Sequence, residues 1–493
     1  MALISDGYEL IDYFQRGGEP IARLQISRPK RPFLELNESG SSPSSSEQDW
    51  REGKKSKHVK ALRGDEENFY ENYRAPNLFV PTTKDKRDLL VKQSRNLVQQ
   101  KKKVVKEAER SPGLQLICLL LNCASSIAEN KKDMAENLLR RLYSRVSKSG
   151  NSIERVAAHF AEALSAKLKS PTPLFKNRVV AGDPDQLQSE AHIAFYRVSP
   201  FYQFAHLTAN QAIIEAFEGK KKLHIVDFDI SHGIQWSSLI QSLSEEEDVP
   251  SLRISGFGRD VNVLKATGIR LTGFAHSCGL TSFEFHPFLE DTSKGISIES
   301  LQIKEDETVA VNLVLYLNKL ASSQTLLCSR LRSIESLRPK IVVVVEHEAS
   351  QSPTTFLSRF MESLHYYAAL FDSMDECLPL QSAERLRIET FHLGEQIKNS
   401  IRDDGVGKMM GRRETHDKWE TWKGRMERGG FAQVGFSSRS VSQAKLLLQS
   451  RQHCSSFEGG GGFKLLQKDL GRTLSLAWQD RQLILASVWR CKD

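Results

Sequence analysis

The sequence lacks the long apolar segments that membrane proteins need. None of its 493 residues falls in a run approaching the ~18 to 20 consecutive apolar residues of a membrane-spanning helix, and the most apolar runs, such as residues 341–345, are short. The first ten residues also lack the basic start and the apolar core, ~7 to 15 residues long, of a secretory signal. We therefore expect a soluble protein that stays inside the cell.

Cysteine is scarce as well. The chain has seven cysteines, an odd number, and no two of them form a C-x-x-C pair. Disulfide-stapled secreted domains and structural zinc sites both need paired, closely spaced cysteines. We expect reduced thiols, as in the cytosol or the nucleus, and no metal site.

Positive charge is in excess, and most of the excess lies near the N-terminus. The chain has 69 Lys and Arg against 61 Asp and Glu, for a net charge of +8, and residues 1–110 alone hold 22 basic and 17 acidic residues. Two lysine clusters in this region are typical of nuclear import signals, which are read by charge: Lys54, Lys55, Lys57 and Lys60, and Lys101, Lys102, Lys103 and Lys106. The alternative is a solvated amphipathic helix leading into the first domain.

The composition indicates one tail and one large folded unit. Hydrophobic residues make up 39% of the chain and charged residues 26%, but residues 37–49, NESGSSPSSSEQD, contain almost nothing to bury. We predict that residues 1–110 form a largely disordered, basic and serine-rich region and that residues 111–493 form the folded domain. Within it, residues 114–146, 151–168 and 201–219 place apolar side chains at helical spacing. This pattern predicts a helical cap over about residues 111–220.

The hydrophobic period changes near residue 221. The short apolar runs LHIVDF, SLRISGF, SFEFHPF, TVAVNLVLY and KIVVVVEH alternate with helical segments. Apolar strands that alternate with helices indicate a mostly parallel sheet buried on both faces. The predicted fold class is α/β, with a Rossmann-like core over about residues 221–493. Three later runs, FKLLQKDL, TLSLAW and QLILASVW, predict antiparallel strands at one edge of the sheet.

The core lacks the fingerprint of a nucleotide-binding site. The loop after the first strand, DFDISHG, has a single glycine, Gly233, and carries Asp229 where a phosphate would have to approach the backbone. The second strand ends in SGFGRD, without an acidic residue at the ribose-binding position. No nucleophile elbow, P-loop or H-E-x-x-H motif occurs. We predict neither cofactor nor catalytic residues, and one alternative stays open: His224 and Asp227 as an acid/base pair, instead of a structural histidine.

Several segments resemble the motifs of the plant GRAS family. Leu223, His224, Ile225, Val226 and Asp227, followed by Gln235 and Trp236, are similar to its VHIID motif. Residues 114–121 and 308–320 resemble its two leucine heptad regions, and residues 363–375 with 383–399 resemble its PFYRE region, which places the Arg-Glu element at Arg385 and Glu389. Residues 412–431 and 474–489 resemble its SAW region, which includes Trp478 and Trp489. The resemblance covers about residues 111–493, with all regions in order.

The resemblance implies a methyltransferase-like Rossmann core under a helical cap. It also implies a nuclear transcriptional regulator of plants that forms homo- or heterodimers with GRAS proteins, binds DNA-binding transcription factors and reaches promoter DNA indirectly. Some family members read D-F-G-I in the loop, whereas this chain has Asp229 at that glycine position and His232 beyond it. That departure argues against small-molecule binding by the core, and an acidic residue there is similar to the family's symbiosis-signalling branch.

The sequence offers a candidate partner or dimer surface on the first helix of the cap. Leu116, Leu119 and Leu120 lie at i, i+3 and i+4 in LICLL, a spacing that can fill a partner's hydrophobic groove. The alternative is a core helix of the cap, and both interpretations hold if the cap is itself the dimer surface.

Trp478 and Trp489 also have two interpretations. The QDR turn puts them on adjacent antiparallel strands, out of register with each other, where each ring can be buried. The alternative is that they form a partner site.

Two other functional classes remain open. Basic residues within 84–110, or on the cap, would give direct but strongly salt-dependent DNA binding, although no base-reading motif is visible. An S-adenosylmethionine-dependent methyltransferase rests on fold analogy alone.

Overall fold

The computed structural model of the protein describes residues 112–168, 183–290, 299–321, 323–349, 355–401, 417–450 and 462–492. The region predicted to be disordered, residues 1–110, lies outside these ranges, and so do all the candidate nuclear import lysines. Among the described helices, none has both the length and the apolar character needed to cross a membrane.

Five helices precede the first strand: α1 (Pro112–Ala128), α2 (Lys132–Tyr143), α3 (Ser152–Leu168), α4 (Pro184–Val198) and α5 (Pro200–Phe217). The helices predicted at 151–168 and 201–219 are confirmed as α3 and α5, whereas α4 was not predicted. Residues 114–146 form two helices instead of one, because the chain turns at Asn130, whose φ of 59° is left-handed. At the start of α5, the hydroxyl of Ser199 accepts a hydrogen bond from the backbone N–H of Phe201, and Pro200 occupies the first helical position.

The predicted parallel sheet is confirmed. Its strands are β1 (Lys222–Asp227), β2 (Ser251–Gly258), β3 (Phe283–Leu289), β4 (Thr308–Val314) and β5 (Ile341–His347), and they are arranged in the order β3-β2-β1-β4-β5 with every neighbouring pair parallel. The helices between them are α6 (Ile234–Ser244), α7 (Val261–Ser277), α8 (Leu317–Leu320) and α9 (Gln324–Ser336). The strand order reverses between β1 and β4, which makes that point the switch point of the sheet.

The C-terminal part of the chain completes the sheet with antiparallel strands, as predicted. It contains α10 (Phe356–Cys377), α11 (Ala383–Ile388), a π-helical turn (Glu389–Leu393), α12 (Gly394–Ile401), α13 (Trp419–Arg428), β6 (Phe431–Val434), α14 (Ser438–Gln449), β7 (Phe463–Lys468), β8 (Thr473–Trp478) and β9 (Arg481–Cys491). Strand β9 pairs with β5 on one side and with β8 and β6 on the other, and β7 pairs with β8. Strand β6 and helix α14 were not predicted.

Both faces of the central strands β1, β4 and β5 are buried, whereas the edge strands β3 and β7 are partly exposed. In β5, Val343 and Val345 belong to one hydrophobic cluster, whereas Val342 and Val344 belong to a second cluster on the opposite face. This alternation follows from the period of two residues along a strand, and it explains why the central strand β5 is apolar over most of its length.

The helical layer is assembled from two distant parts of the chain. Helix α3 packs against α1 and α2, and also against α10 and α12. Helix α5 lies on the sheet, in contact with β4, β5 and β9. Along the sequence, helices give way to strands near residue 220. In space, however, helices from both sides of residue 220 pack together, so the division into a cap (111–220) and a core (221–493) stays a prediction.

Candidate functional site

The strand that resembles the VHIID motif is the centre of the sheet. Strand β1 lies between β2 and β4, and its side chains alternate between the two buried faces. Leu223 and Ile225 belong to one hydrophobic cluster and Val226 to the other. His224 and Asp227, three residues apart, therefore point to opposite faces.

Asp227 is held in a buried network at the carboxyl end of β1. Its carboxylate accepts hydrogen bonds from the indole Nε1 of Trp236 at 2.8 Å, the side-chain amide of Asn312 at 3.2 Å and the backbone N–H of Asp229 at 3.2 Å. Burial raises the pKa of Asp227 to about 6, although these hydrogen bonds lower it. All three donors are neutral groups of the chain itself, so the carboxylate holds the loop after β1 in place.

The same network joins the sheet to a helix that precedes it. The side-chain amides of Gln235 and Asn312 exchange hydrogen bonds of 3.0 and 3.1 Å. Asn210, on α5, donates to the backbone carbonyl of Gln235 at 2.7 Å and accepts from its side chain at 3.1 Å. The network thus fixes α5, α6, β1 and β4 relative to one another.

His224 belongs to a different cluster, so the acid/base pair with Asp227 is contradicted and the structural interpretation is confirmed. Its Nε2 lies 2.9 Å from the hydroxyl of Ser255, and its Nδ1 lies 3.1 Å from a guanidinium nitrogen of Arg253 and 3.3 Å from the carboxylate of Glu307. Burial lowers the pKa of His224 to about 4, with Arg253 acting in the same direction. A neutral, fully buried imidazole in this setting positions its neighbours.

Aromatic rings occupy the crevice at the switch point, where open α/β sheets bind ligands. Phe228 follows β1 directly, and its ring stacks on Phe257 near the end of β2, with centroids 5.1 Å apart and planes 11° apart. Tyr316 lies 5.4 Å from Phe228, and the guanidinium of Arg330 lies over both rings at 5.3 and 5.8 Å. The side chains of the chain itself fill the space beside the first two strands.

The loop that follows is tied to its surroundings by polar contacts. Asp229 forms an ion pair with Lys319. His232 lies 2.6 Å from the hydroxyl of Ser189 on α4, and the hydroxyl of Thr267 donates to the carbonyl of Ser231 at 3.0 Å. The carboxylate at the position that is glycine in some family members thus has a partner inside the chain.

The Arg-Glu element of the PFYRE region lies in a buried ionic cluster. The Nε of Arg155 donates to the carboxylate of Glu389 at 3.0 Å, and another nitrogen of Arg155 donates to Asp375 at 2.6 Å. Arg385 lies 3.6 Å from both carboxylates. The side chains of Arg155 and Glu389 are fully buried, and burial raises the pKa of Glu389 to about 7 although both arginines lower it.

The sequence indicated Arg385 and Glu389 but missed Arg155 and Asp375. Arg155 occurs among the apolar residues of α3, in RVAAHFAEAL, which is an unusual place for an arginine without a buried partner. An arginine among apolar residues could have indicated a buried ion pair. Its partner, Glu389, is 234 residues away along the chain, however, and no local pattern identifies it.

The two tryptophans of the SAW region are buried, as the structural interpretation predicts. Trp478 on β8 and Trp489 on β9 are 5% and 0% exposed. The Nε1 of Trp478 donates to Asp372 on α10 at 2.8 Å, and that of Trp489 donates to the hydroxyl of Ser487 at 3.0 Å. Their strands are adjacent and antiparallel and the two rings are out of register, as expected.

The candidate partner surface on the first helix is buried in this structure: it consists of Leu116, Leu119 and Leu120. They are 3%, 7% and 0% exposed and belong to the main hydrophobic cluster, because they lie on the side of α1 that faces the other helices. This corresponds to the core-helix interpretation and corrects the expectation that these three side chains contact a partner directly. Dimerisation itself stays a prediction.

The folded part of the chain is similar to known proteins. The sequence profile of the GRAS domain family matches residues 116–490. DELLA protein GAIP of Cucurbita maxima is 34% identical over 386 residues, which cover 77% of this chain and 63% of that protein. Protein SCARECROW of Ipomoea nil is 35% identical over 397 residues, covering 79% and 48%. The chain thus matches about half to two thirds of the length of these relatives.

A solved structure supports the fold. The crystal structure of SCL7 in Oryza sativa is similar with a TM-score of 0.64 and 33% sequence identity, over 76% of this chain and 99% of that chain. The similarity spans both the helices and the sheet, so the arrangement described above is shared with that protein.

Proposed function

The chain belongs to the GRAS domain family of plant transcriptional regulators, and we propose that it acts in the nucleus as a co-regulator. In this role it binds other proteins, namely further GRAS proteins and DNA-binding transcription factors, and reaches promoter DNA through them. It carries out no chemical reaction of its own. The particular branch of the family, including the symbiosis-signalling branch, stays a prediction from Asp229.

The filled crevice is the observation that carries this proposal. A methyl-transferring enzyme on this fold would need room for its cofactor beside the carboxyl ends of β1 and β2. Here Phe228 and Phe257 stack in that place, and the carboxylate of Asp227 is engaged by three donors of the chain. Stacked rings in the place of a cofactor suit a scaffold that presents surfaces to partners.

Dimerisation fits the outward side of the first helices better than the buried leucines. Leu114 on α1 and Ile153 on α3 are 45% and 39% exposed, and the side chain of Ile153 packs beside Gly113. We therefore propose that the contact with a second GRAS domain includes these two exposed apolar side chains. The two helices pack against each other, and exposed large apolar side chains on neighbouring elements are typical of interaction surfaces.

The co-regulator role is tested with promoter DNA. Purified full-length protein, alone and together with a candidate DNA-binding transcription factor, would be titrated onto labelled promoter DNA at about 50 and 200 mM salt. We expect retention of the protein only in the presence of the transcription factor. Sequence-selective binding by the protein alone, persisting at the higher salt, would instead identify a direct DNA reader.

The enzyme alternative has its own test. Isothermal calorimetry with S-adenosylmethionine should detect no binding, because a ligand would have to displace the stacked rings of Phe228 and Phe257. Binding in the micromolar range would contradict the scaffold proposal.

A further inference from the structure

The loop between β7 and β8 holds a leucine in an unfavourable backbone conformation and in full contact with water. Lys468 pairs with Thr473 across the hairpin, and the four residues between them form the loop. Asp469, Leu470 and Gly471 have φ values of 51°, 57° and 81°, and the side chain of Leu470 is 100% exposed. Three consecutive left-handed residues are unusual, and only glycine adopts that conformation at no steric cost.

Leucine is the wrong residue for stability at this position. The left-handed conformation costs a side-chain-bearing residue roughly 1 to 2 kcal/mol, and Asn, Asp or Gly would tolerate it better. Exposure of the leucine side chain adds no hydrophobic stabilisation in the isolated chain. A strained and exposed leucine is explained if its side chain is buried by something else.

The chain holds the loop in place with four contacts. The carboxylate of Asp469 accepts from the indole Nε1 of Trp419 at 2.9 Å and from the ammonium of Lys423 at 3.4 Å, both on α13. The side chain of Gln433 donates to the carbonyl of Arg472 at 3.1 Å, and the backbone N–H of Phe436 donates to that of Gly471 at 3.4 Å.

These contacts connect the loop to the core. Trp419 is 5% exposed, and its ring lies 5.9 Å from Trp489 in the centre of the C-terminal strands. The hydrogen bond from Trp419 and the charge of Lys423 hold the pKa of Asp469 below its usual value. The leucine is therefore presented on a rigid support, which reduces the entropy lost when a partner binds it.

The charge around the tip indicates the chemistry of the partner. Lys468 precedes the loop and Arg472 is its last residue, and both are exposed. The only carboxylate of the loop, Asp469, already accepts from two donors on α13. Residues 468–472 therefore carry a net positive charge. DNA affinity depends on neutralising many phosphates, and two cations supply few such contacts, so a protein surface fits better than DNA.

We propose that Leu470 is an anchor that inserts into an apolar pocket of a partner protein whose rim carries Asp and Glu side chains. The inference rests on the proposed co-regulator function, because it supplies one contact for the protein partners. Binding energy in an interface is concentrated where a side chain fills a well-packed pocket from which water is excluded, and complementary charges around it favour the correct partner.

The experiment selects peptides instead of assuming a partner. A displayed library of random 16-residue peptides would be selected on immobilised full-length protein and counter-selected on the Leu470→Asn variant. We expect enriched peptides with apolar residues next to Asp or Glu. They should bind the wild-type chain at least tenfold more tightly than Leu470→Asn in fluorescence anisotropy, and more weakly at about 300 mM salt than at 50 mM.

Two control variants separate the anchor from a structural role. Leu470→Met keeps an apolar side chain and should retain binding, and Leu380→Asn, at another exposed loop leucine, should bind like wild type. The midpoint of thermal unfolding of Leu470→Asn should not fall, because asparagine tolerates the left-handed conformation. A clear fall in the midpoint would mean that the leucine is structural and would overturn the proposal.

Other outcomes also overturn it. A selection that yields no peptide dependent on Leu470, or only basic peptides, contradicts an acidic-rimmed pocket. A Leu470→Asn variant that loses affinity for promoter DNA while the peptides still bind would identify a DNA contact. Because the selection contains no DNA and no transcription factor, its failure leaves the promoter titration above as a separate test of the co-regulator function.

Discussion

The guanidinium of Arg155 and the carboxylate of Glu389 form a fully buried ion pair 3.0 Å long between the early helix α3 and the π-helical turn after α11. Asp375 and Arg385 extend it into a cluster of four charges that joins three segments of the chain. The helical layer therefore depends on residues that are far apart in sequence, and the Arg-Glu element of the PFYRE region is part of its interior.

Removal of one partner of this pair should be strongly destabilising. Arg155→Met leaves Glu389 and Asp375 without their main cation, which should lower the free energy of unfolding by about 3 to 5 kcal/mol. Urea unfolding followed by circular dichroism measures this. The matched control is Arg387→Met, because Arg387 is exposed and pairs with Glu190 at the surface, so a change within about 0.5 kcal/mol is expected. Equal losses in both variants would contradict the buried pair.

The pH dependence of stability should report Asp227. Its pKa is about 6 in the folded chain, against an ordinary value of 3.8, so between pH 4 and 6 the folded chain keeps a proton that the unfolded chain has released. Stability from this group is therefore greatest below pH 4, falls by about 2 kcal/mol between pH 4 and 6, and has lost about 3 kcal/mol in total above pH 7.

The Asp227→Asn variant isolates that effect because asparagine does not titrate. The unfolding free energy of wild type should fall relative to that of the variant as the pH rises from 4 to about 7, and the difference should stay constant above that. Buried histidines such as His224 are common to both proteins and cancel in the comparison. A difference that stays flat over this range would show that burial does not raise the pKa of Asp227.

The last two strands should be essential for folding. Strand β9 pairs with β5, β6 and β8, and it carries Trp489, so a chain ending at Leu470 loses the link between the parallel and antiparallel parts of the sheet. We expect the truncated protein to show no cooperative thermal transition. A chain that ends at Cys491 retains β9 entirely and should melt like the full-length protein. A soluble, cooperatively melting truncation at Leu470 would contradict this role of β9.

Aspartate at two leucine positions of α1 should have opposite consequences. Leu120→Asp places a carboxylate in a fully buried site and should prevent folding or cost more than about 4 kcal/mol. Leu114→Asp combined with Ile153→Asp changes exposed positions, so the fold should persist while the dimer is lost. Light scattering on folded protein gives the mass. A dimer that survives the double change would place the contact with a second GRAS domain elsewhere.

The sequence by itself determined the class of the fold and most of its elements. Uninterrupted apolar strands alternating with helices can bury both faces only in a mostly parallel sheet, and the C-terminal apolar runs joined by short turns pair locally. These features depend on neighbours along the chain, which is why β1 to β5, β7, β8 and β9 were predicted. Short or weakly patterned elements such as α4, β6 and α14 were missed, because fewer apolar residues mark them.

Only the tertiary structure decided which residues meet. The pairing of Arg155 with Glu389, the stack of Phe228 on Phe257 and the support of Asp469 by Trp419 all join segments that the sequence pattern treats independently. The tertiary structure also decided which side of α1 faces the core, since that helix is apolar on most of its circumference and its periodicity does not select one face. Packing against α2, α3 and α10 makes that choice, so Leu116, Leu119 and Leu120 are interior and Leu114 is not.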